Sequence, residues 1–343
     1  MNWPELLSGL VRRTDQTREA MAWAMDQVLN GAATDAQLAG FVIALRSKGE
    51  TVEEISGLAD TMIDLATPIE VGGRAVDVVG SGGDRSNTVN VSTMAAIVTA
   101  GAGVRVVKHG NRAASSACGA ADVLEALGVA LNLTPEQQQV VIEQTGIGFL
   151  FAPHYHPGLR HAGGPRRELG VATTFNFLGP LANPAQPTAQ AVGVADARMA
   201  ELMAGVFADR GNQGLVFHGE DGLDELTTTT GSTYWVFVDG RVHSGRLDPL
   251  DLGIARAQMQ DLVGGDPAHN AAVVRDLLTG ATGPVRDIVV LNAAAAITAY
   301  DKPEPGGLLD QLRSAMSRAE EALDSGAARS KLEEWVTASR SFG

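Results

Sequence analysis

Three short stretches of the chain carry residue types that could do chemistry in combination. GSGGD at residues 80–84 follows a short apolar run, Asp77-Val78-Val79, and strips side chains from a turn so that backbone N–H groups can approach an anion. NVST at 90–93 then supplies amide and hydroxyl groups where an Ala-rich helical pattern begins. KHGNRAASS at 108–116 follows a second strand pattern, Val104 to Val107, and gathers cationic, imidazole, amide and hydroxyl groups in one loop. Far along the chain, GLDE at 222–225 offers the carboxylates of Asp224 and Glu225, hard oxygen ligands that suit Mg²⁺ beside substrate phosphates. So many donors exceed the needs of one phosphate. Together they imply a Mg²⁺-chelated polyphosphate substrate.

Each stretch alone has a plainer reading: the glycines as a tight turn, Asp224-Glu225 as a solvated turn, Asn90 and Ser92 as helix caps, Arg166-Arg167 as surface charges. His109 alone could be a core histidine. Cys118 reads as a small packing residue, because no spacing provides it with a base. The combination carries the functional reading.

The elements that must position these loops follow from periodicity. Residues 1–70 read as entirely helical, with Trp3-Pro4 as an early first turn and capping boxes at Thr34-Asp35-Ala36-Gln37 and Thr51-Val52-Glu53-Glu54. After Gly72-Gly73 the texture changes to short Val/Ile-rich runs alternating with amphipathic helices, which predicts an α/β fold with a central mixed sheet flanked by helices. Residues 153–184, rich in Gly, Pro, His and Arg, read as an excursion out of the sheet. Strands are expected at 148–151, 190–194 and 215–218, a hairpin around Asp239-Gly240, and helices over 267–279, 286–300, 306–324 and 327–340. The predicted organisation is a small helical domain over 1–70, completed by helices from about 153–188. A large α/β domain then spans 71–152 and 189–343. In such folds ligands bind beyond the strand ends, where both glycine-bearing loops would lie.

Composition narrows the function. The chain has 343 residues, 45% hydrophobic, and a formal net charge of −14, with a pI near 4.9 and no basic patch, which argues against nucleic acid or an anionic membrane as partner. The start MNWPELLSGLVRRTD lacks a secretory pattern, no run suits a bilayer span, and one cysteine cannot form an intrachain disulfide. A cytoplasmic location is expected.

The joint pattern, GSGGD, NVST, KHGNRAASS, GAADVLEALG at 119–128, RRELG at 166–170, FNFLGPLANP at 175–184, GLDE and RDIVVLNAAAA at 286–296, resembles the anthranilate phosphoribosyltransferase family over the whole chain. The resemblance implies a nucleoside phosphorylase-like fold and a homodimer formed through the helical domain. It also implies transfer of phosphoribose from 5-phosphoribosyl diphosphate to the amine of anthranilate in tryptophan biosynthesis. Carried over residue by residue, Gly80, Gly83, Asp84, Thr88, Asn90, Val91, Ser92 and Thr93 would hold the diphosphate substrate. So would Lys108, His109, Gly110, Asn111, Arg112, Ala113, Ala114, Ser115 and Ser116, with Ala120 lining the second loop. Gly80, Asn111 and Arg166 would meet anthranilate, while His109, Pro153, His156 and Gly179 shape an aromatic channel. Ser92 would ligate one Mg²⁺, and Asp224 with Glu225 a second. No dedicated acid, base or nucleophile is implied.

Departures from the family pattern are Ser81 for threonine, Arg85 for glycine, Cys118 for serine and Gly163-Gly164-Pro165 before the double arginine. Arg166 rather than Arg167 is expected to face substrate, from its spacing to Asn111. A pyrimidine nucleoside phosphorylase shares the fold, but KHGNR and GLDE do not suit it. A nucleic-acid-binding relative would be basic and lack the acidic pair.

Overall fold

The computed structural model describes residues 1–113 and 117–342. Helices α1 (Trp3–Val11), α2 (Arg18–Leu29), α3 (Asp35–Lys48) and α4 (Val52–Asp64) open the chain. The two expected capping boxes form, Thr34 with Gln37 and Thr51 with Glu54, each worth about 1 kcal/mol of helix start. The start of α2 is not marked in the sequence because Thr17 caps the Ala20 N–H without a Glu or Gln three residues on to complete a box. Each helix turns an apolar stripe inward, and Trp3, Met21, Phe41 and Leu58 meet in one core.

Seven strands follow: β1 (Val76–Gly80), β2 (Val106–Gly110), β3 (Ile147–Phe151), β4 (Ala189–Gly193), β5 (Gln213–Gly219), β6 (Ser232–Val238) and β7 (Arg241–Leu247). They form one mixed sheet in the order β3-β2-β1-β4-β5-β6-β7, the first five parallel and β6 and β7 antiparallel. The hairpin at Asp239-Gly240 is present, both residues taking the left-handed backbone that such a turn requires. Because β2 and β3 run outward on one side of β1 and β4 lies on the other, connections diverge at the ends of β1 and β4. A crevice opens there.

Helices cover both faces of the sheet. On one face lie α5 (Val91–Gly101), α6 (Ala120–Leu127) and α7 (Pro135–Thr145). Further along the chain, α8 (Ala152–Tyr155) and α9 (Arg160–Leu169) belong to the excursion, and α9 packs on α2 and α3. Helix α10 (Ala197–Asp209) joins the sheet to α4. After the hairpin come α11 (Pro267–Leu278), α12 (Pro284–Asp301), α13 (Leu308–Asp324) and α14 (Ala327–Arg340), with α12 buried between β4, β5 and α5. Strand alternation splits the interior: Val76, Ala191 and Leu215 face α5 and α12, whereas Val192, Val216 and Phe237 join the core shared with the helical layer. Among the described residues, no helix is long and apolar enough to cross a membrane.

One boundary differs in a way that matters. Lys108, His109 and Gly110 are expected in a loop, but they extend β2, because each pairs in register with Phe149, Leu150 or Phe151 of β3. As strand residues, Lys108 and His109 send their side chains to opposite faces.

Candidate active site

A cavity of about 360 Å³ opens at the C-terminal ends of β1 and β2, between the sheet and the helical layer. Every predicted site residue within the described chain borders it except Pro153, whose neighbour Ala152 takes that position. Ala114, Ser115 and Ser116 lie outside the described residues.

The acidic wall of the cavity is built by two loops crossing the strand ends. Asp224 Oδ2 accepts the Gly82 N–H at 2.7 Å, and Glu225 Oε1 accepts the Ser92 N–H at 3.1 Å, so the late acidic loop is fastened to both the glycine turn and the start of α5. This packing requires glycine at two places. A Cβ on Gly80 would run into the Asp224 carboxylate, and one on Gly193 into the Asp224 backbone carbonyl. Gly193 escaped sequence reasoning, since nothing in β4 announces that a loop thirty residues later lies across it. Gly82 and Gly83 adopt positive φ, as does Arg85 where glycine was expected.

Charge is concentrated in this wall. Asp224 and Glu225 are each 8% exposed and Lys108 is 2% exposed. Burial first, then the neighbouring Asp84, raises Asp224 to about 7; burial and the adjacent Asp224 push Glu225 well above the usual carboxylate range. Burial likewise lowers Lys108 against the pull of Asp77, Glu225 and Asp224. Lys108 Nζ donates to the Val78 carbonyl and to Ser92 Oγ. Buried, mutually repelling carboxylates are relieved by a cation, which is the donor chemistry a Mg²⁺ site needs. Among the described residues no three carboxylate, imidazole or thiol side chains form a cage by themselves.

The opposite wall is imidazole and aromatic. His109 Nδ1 donates to the Gly179 carbonyl at 3.1 Å and His156 Nε2 to the Ala182 carbonyl at 2.8 Å, with the rings 5.1 Å apart. Burial, then His156, drives His109 down to about 3, and burial lowers His156 as well. Arg166 borders the cavity with its guanidinium 5.8 Å from the Phe175 ring centre, whereas Arg167 is exposed and does not border it. Burial lowers the Arg166 pKa, and no carboxylate is paired with it among the described residues.

Some predicted residues are committed elsewhere. Asn90 stands at the N-cap of α5 without capping it; its side chain donates to the Cys118 carbonyl and accepts from Asn270 Nδ2. Arg112 pairs with Asp122 and Glu125 and lies over the Phe151 ring. Asp122 also accepts the Ala113 and Gly119 N–H groups, closing the neck of the second loop. Burial pushes the Cys118 thiol up to about 11, consistent with a packing role. Asn176, Leu178 and Pro180 border the cavity but were missed, because the FNFLGPLANP stretch reads as irregular chain until its fold is known.

Residues 4–66 match the family described as "Glycosyl transferase family, helical bundle domain", and residues 72–329 its "a/b domain". An anthranilate phosphoribosyltransferase from a Nocardioides species is 60% identical over 337 residues, spanning 98% of each chain. The crystal structure of anthranilate phosphoribosyltransferase from Thermus thermophilus superposes with a TM-score of 0.90 at 40% identity, covering 98% of this chain and 99% of that one. The Saccharomyces cerevisiae enzyme in complex with PRPP and Mg follows with a TM-score of 0.84 at 26% identity, over 94% and 92% of the two chains. A seven-stranded sheet under a helical layer, an acidic loop laid across two strand-end glycines, and similarity along the full length lead to one assignment: the chain belongs to the anthranilate phosphoribosyltransferase family.

Proposed function

We propose that this protein transfers the phosphoribosyl group of 5-phosphoribosyl diphosphate to the amine of anthranilate, releasing diphosphate, in tryptophan biosynthesis. The observation that carries this reading is one cavity with two unlike walls. One is lined by the glycine turn, Lys108 and paired carboxylates; the other is imidazole and aromatic, with the Arg166 guanidinium. A charged donor substrate fits the first and a flat aromatic acid the second.

The Gly83 N–H and the hydroxyls of Ser92 and Thr93 would receive phosphate oxygens; the N–H groups of the first turn of α5 are already bonded, that of Ser92 to Glu225. Thr93 Oγ1 is buried without a partner among the described residues, an orphan that a substrate oxygen would satisfy. Asp224, Glu225 and Ser92 would hold Mg²⁺ together with substrate phosphates, as the yeast relative's complex with PRPP and Mg supports. A bound metal would neutralise charge developing on the departing diphosphate. Two ions per subunit are proposed, one near Ser92 and one on the acidic pair.

Arg166 presents a planar fork of donors that suits the anthranilate carboxylate. Asn111 and Gly80, which also border the cavity, would bring the amine near the ribose C1. An arylamine is neutral at pH 7 and can attack without prior deprotonation, its nitrogen then shedding a proton to the departing diphosphate or solvent, and His109, held neutral, would act as a wall. Catalysis then rests on positioning and charge stabilisation. The chain is further proposed to pair as a homodimer through its helical layer, where Val11 of α1 is 74% exposed and Ile43 of α3 37%. Mixing the protein with Mg²⁺, 5-phosphoribosyl diphosphate and anthranilate should abolish anthranilate fluorescence; persistence of the signal under every metal condition would refute the assignment. Sedimentation as a monomer at micromolar concentration would remove the dimer.

A further inference from the structure

Three parallel pairs in the sheet, β1–β4, β2–β3 and β4–β5, each stay in register over five positions. Pairing between β1 and β2 ends after Val76 and Val106. In a continued parallel ladder the next rungs would run from the Val78 N–H to the Val107 carbonyl, and from the His109 N–H to the Val78 carbonyl. Side chains hold these groups instead. His109 N–H donates to Asp77 Oδ1 at 3.3 Å, the Val107 carbonyl accepts Asn183 Nδ2 at 2.8 Å, and the Val78 carbonyl accepts Lys108 Nζ. The Val78 N–H turns to the Asp77 carboxylate.

The two sides of this seam are fastened to each other. Asn183 Nδ2 also donates to Asp77 Oδ2 at 2.8 Å, and its Oδ1 accepts the Ala185 N–H at 3.0 Å, so the returning end of the excursion is locked against the sheet. Asp77 is 0% exposed and Asn183 3%. Asp77 alternates with Val76 and Val78, which face α5, so it lies on the helical-layer face while Lys108 comes up from the α5 face to Ser92. The seam is filled from both faces by polar groups that bind its own broken rungs and each other, with Ser92 at the rim.

We propose that Asp77 and Asn183 are positioning residues that hold the β1–β2 seam open, so that the Lys108 ammonium emerges between the two substrate loops. This rests on the phosphoribosyl-transfer reading, and names residues for it that touch no substrate. The polarity of the pair is specific. Asp77 must accept from every neighbour and Asn183 must donate to two acceptors, so an amide in place of the Asp77 carboxylate would, in either orientation, set its NH₂ against a donor, the Asn183 NH₂ or the His109 N–H, at constant size.

The test compares Asp77→Asn, Asn183→Ala and the double variant with the parent. Steady-state kinetics with Mg²⁺, 5-phosphoribosyl diphosphate and anthranilate would be combined with amide hydrogen exchange over residues 106–110. In each single variant the KM for 5-phosphoribosyl diphosphate should rise about tenfold and kcat fall, the anthranilate KM should stay within about twofold, and exchange should accelerate locally. In the double variant the amide introduced at position 77 is free to reach the Val107 carbonyl, and should recover at least about threefold of the loss in Asp77→Asn. Folded single variants with the parent's KM and kcat would overturn the proposal, as would accelerated exchange throughout the chain, which would make the pair a general determinant of folding. A parent that does not turn over these substrates would instead refute the functional reading; the seam would then be judged by local exchange alone, with unchanged protection at 106–110 overturning it.

Discussion

The two walls of the cavity handle charge in opposite ways. On the acidic side, Asp84, Asp224, Glu225 and Lys108 crowd into a space where burial works against the ionised form of the last three. On the imidazole side, both histidines give their ring protons to backbone carbonyls and are held below their ordinary pKa, leaving Arg166 as the wall's cation. The difference teaches how one cavity can sort two substrates. One wall crowds buried carboxylates that a cation would relieve, while on the other the imidazoles are neutral and Arg166 carries the charge.

The largest effect is expected where the acidic wall is broken. Asp224→Ala or Glu225→Ala should cut kcat/KM by roughly 10³-fold and raise the Mg²⁺ requirement, since charge stabilisation of the leaving group is lost. Titration of activity against Mg²⁺ would check this, and an unchanged metal dependence in both variants would move the ion elsewhere. Next comes Gly193→Ala, which leaves every chemical group in place but drives a methyl into the Asp224 backbone. It should cost about 1–3 kcal/mol of stability and lose most activity, read by denaturant unfolding and turnover. Wild-type values in both assays would show that the acidic loop can shift freely.

On the other wall, Arg166→Ala should raise the anthranilate KM by about 10–100-fold while sparing that for 5-phosphoribosyl diphosphate, whereas Arg167→Ala should have little effect. The reverse ranking would mean that the exposed arginine is the one that serves the substrate.

The smallest effect concerns pH. His109 refuses a proton until about pH 3 in the folded chain, while the unfolded chain takes it up near pH 6.5, so this residue's contribution to stability is lost as pH falls through that window. Between pH 8 and 5, His109→Phe should therefore lose ~2 kcal/mol less stability than the parent. Asp77, lifted to about 6 by burial, works in the opposite direction, which is why variant and parent must be compared at each pH. Identical pH slopes in urea unfolding would show that the His109 ring can be solvated where it stands.

Much of this site was legible in the primary structure because its residue types are locally unusual. Glycines at 80, 82 and 83, the hydroxyls of Ser92 and Thr93, and adjacent carboxylates at 224–225 each have a plain reading alone, and it is their joint occurrence that points to the chemistry. Arg166, which the spacing to Asn111 favours over Arg167, borders the cavity. Other residues could not be read that way. Asp77 is a lone carboxylate in an apolar run, and Asn183 sits in an irregular stretch; their meaning lies in the broken rungs of β1 and β2. Asn90 looked like a cap, and its amide is instead bound to Cys118 and Asn270, residues remote in the chain.

The sequence by itself determined the alternation of helices and strands, the capping of α3 and α4, the hairpin at Asp239-Gly240 and the glycine-rich turn at 80–84. All of these follow from propensity and local hydrogen bonding over a few residues. The tertiary structure alone decided that the acidic loop crosses Gly80 and Gly193, that β2 extends through Lys108 and His109, and that β1 and β2 part above Val76. Those outcomes depend on which strand lies beside which, and on buried polar groups finding partners tens of residues or more away.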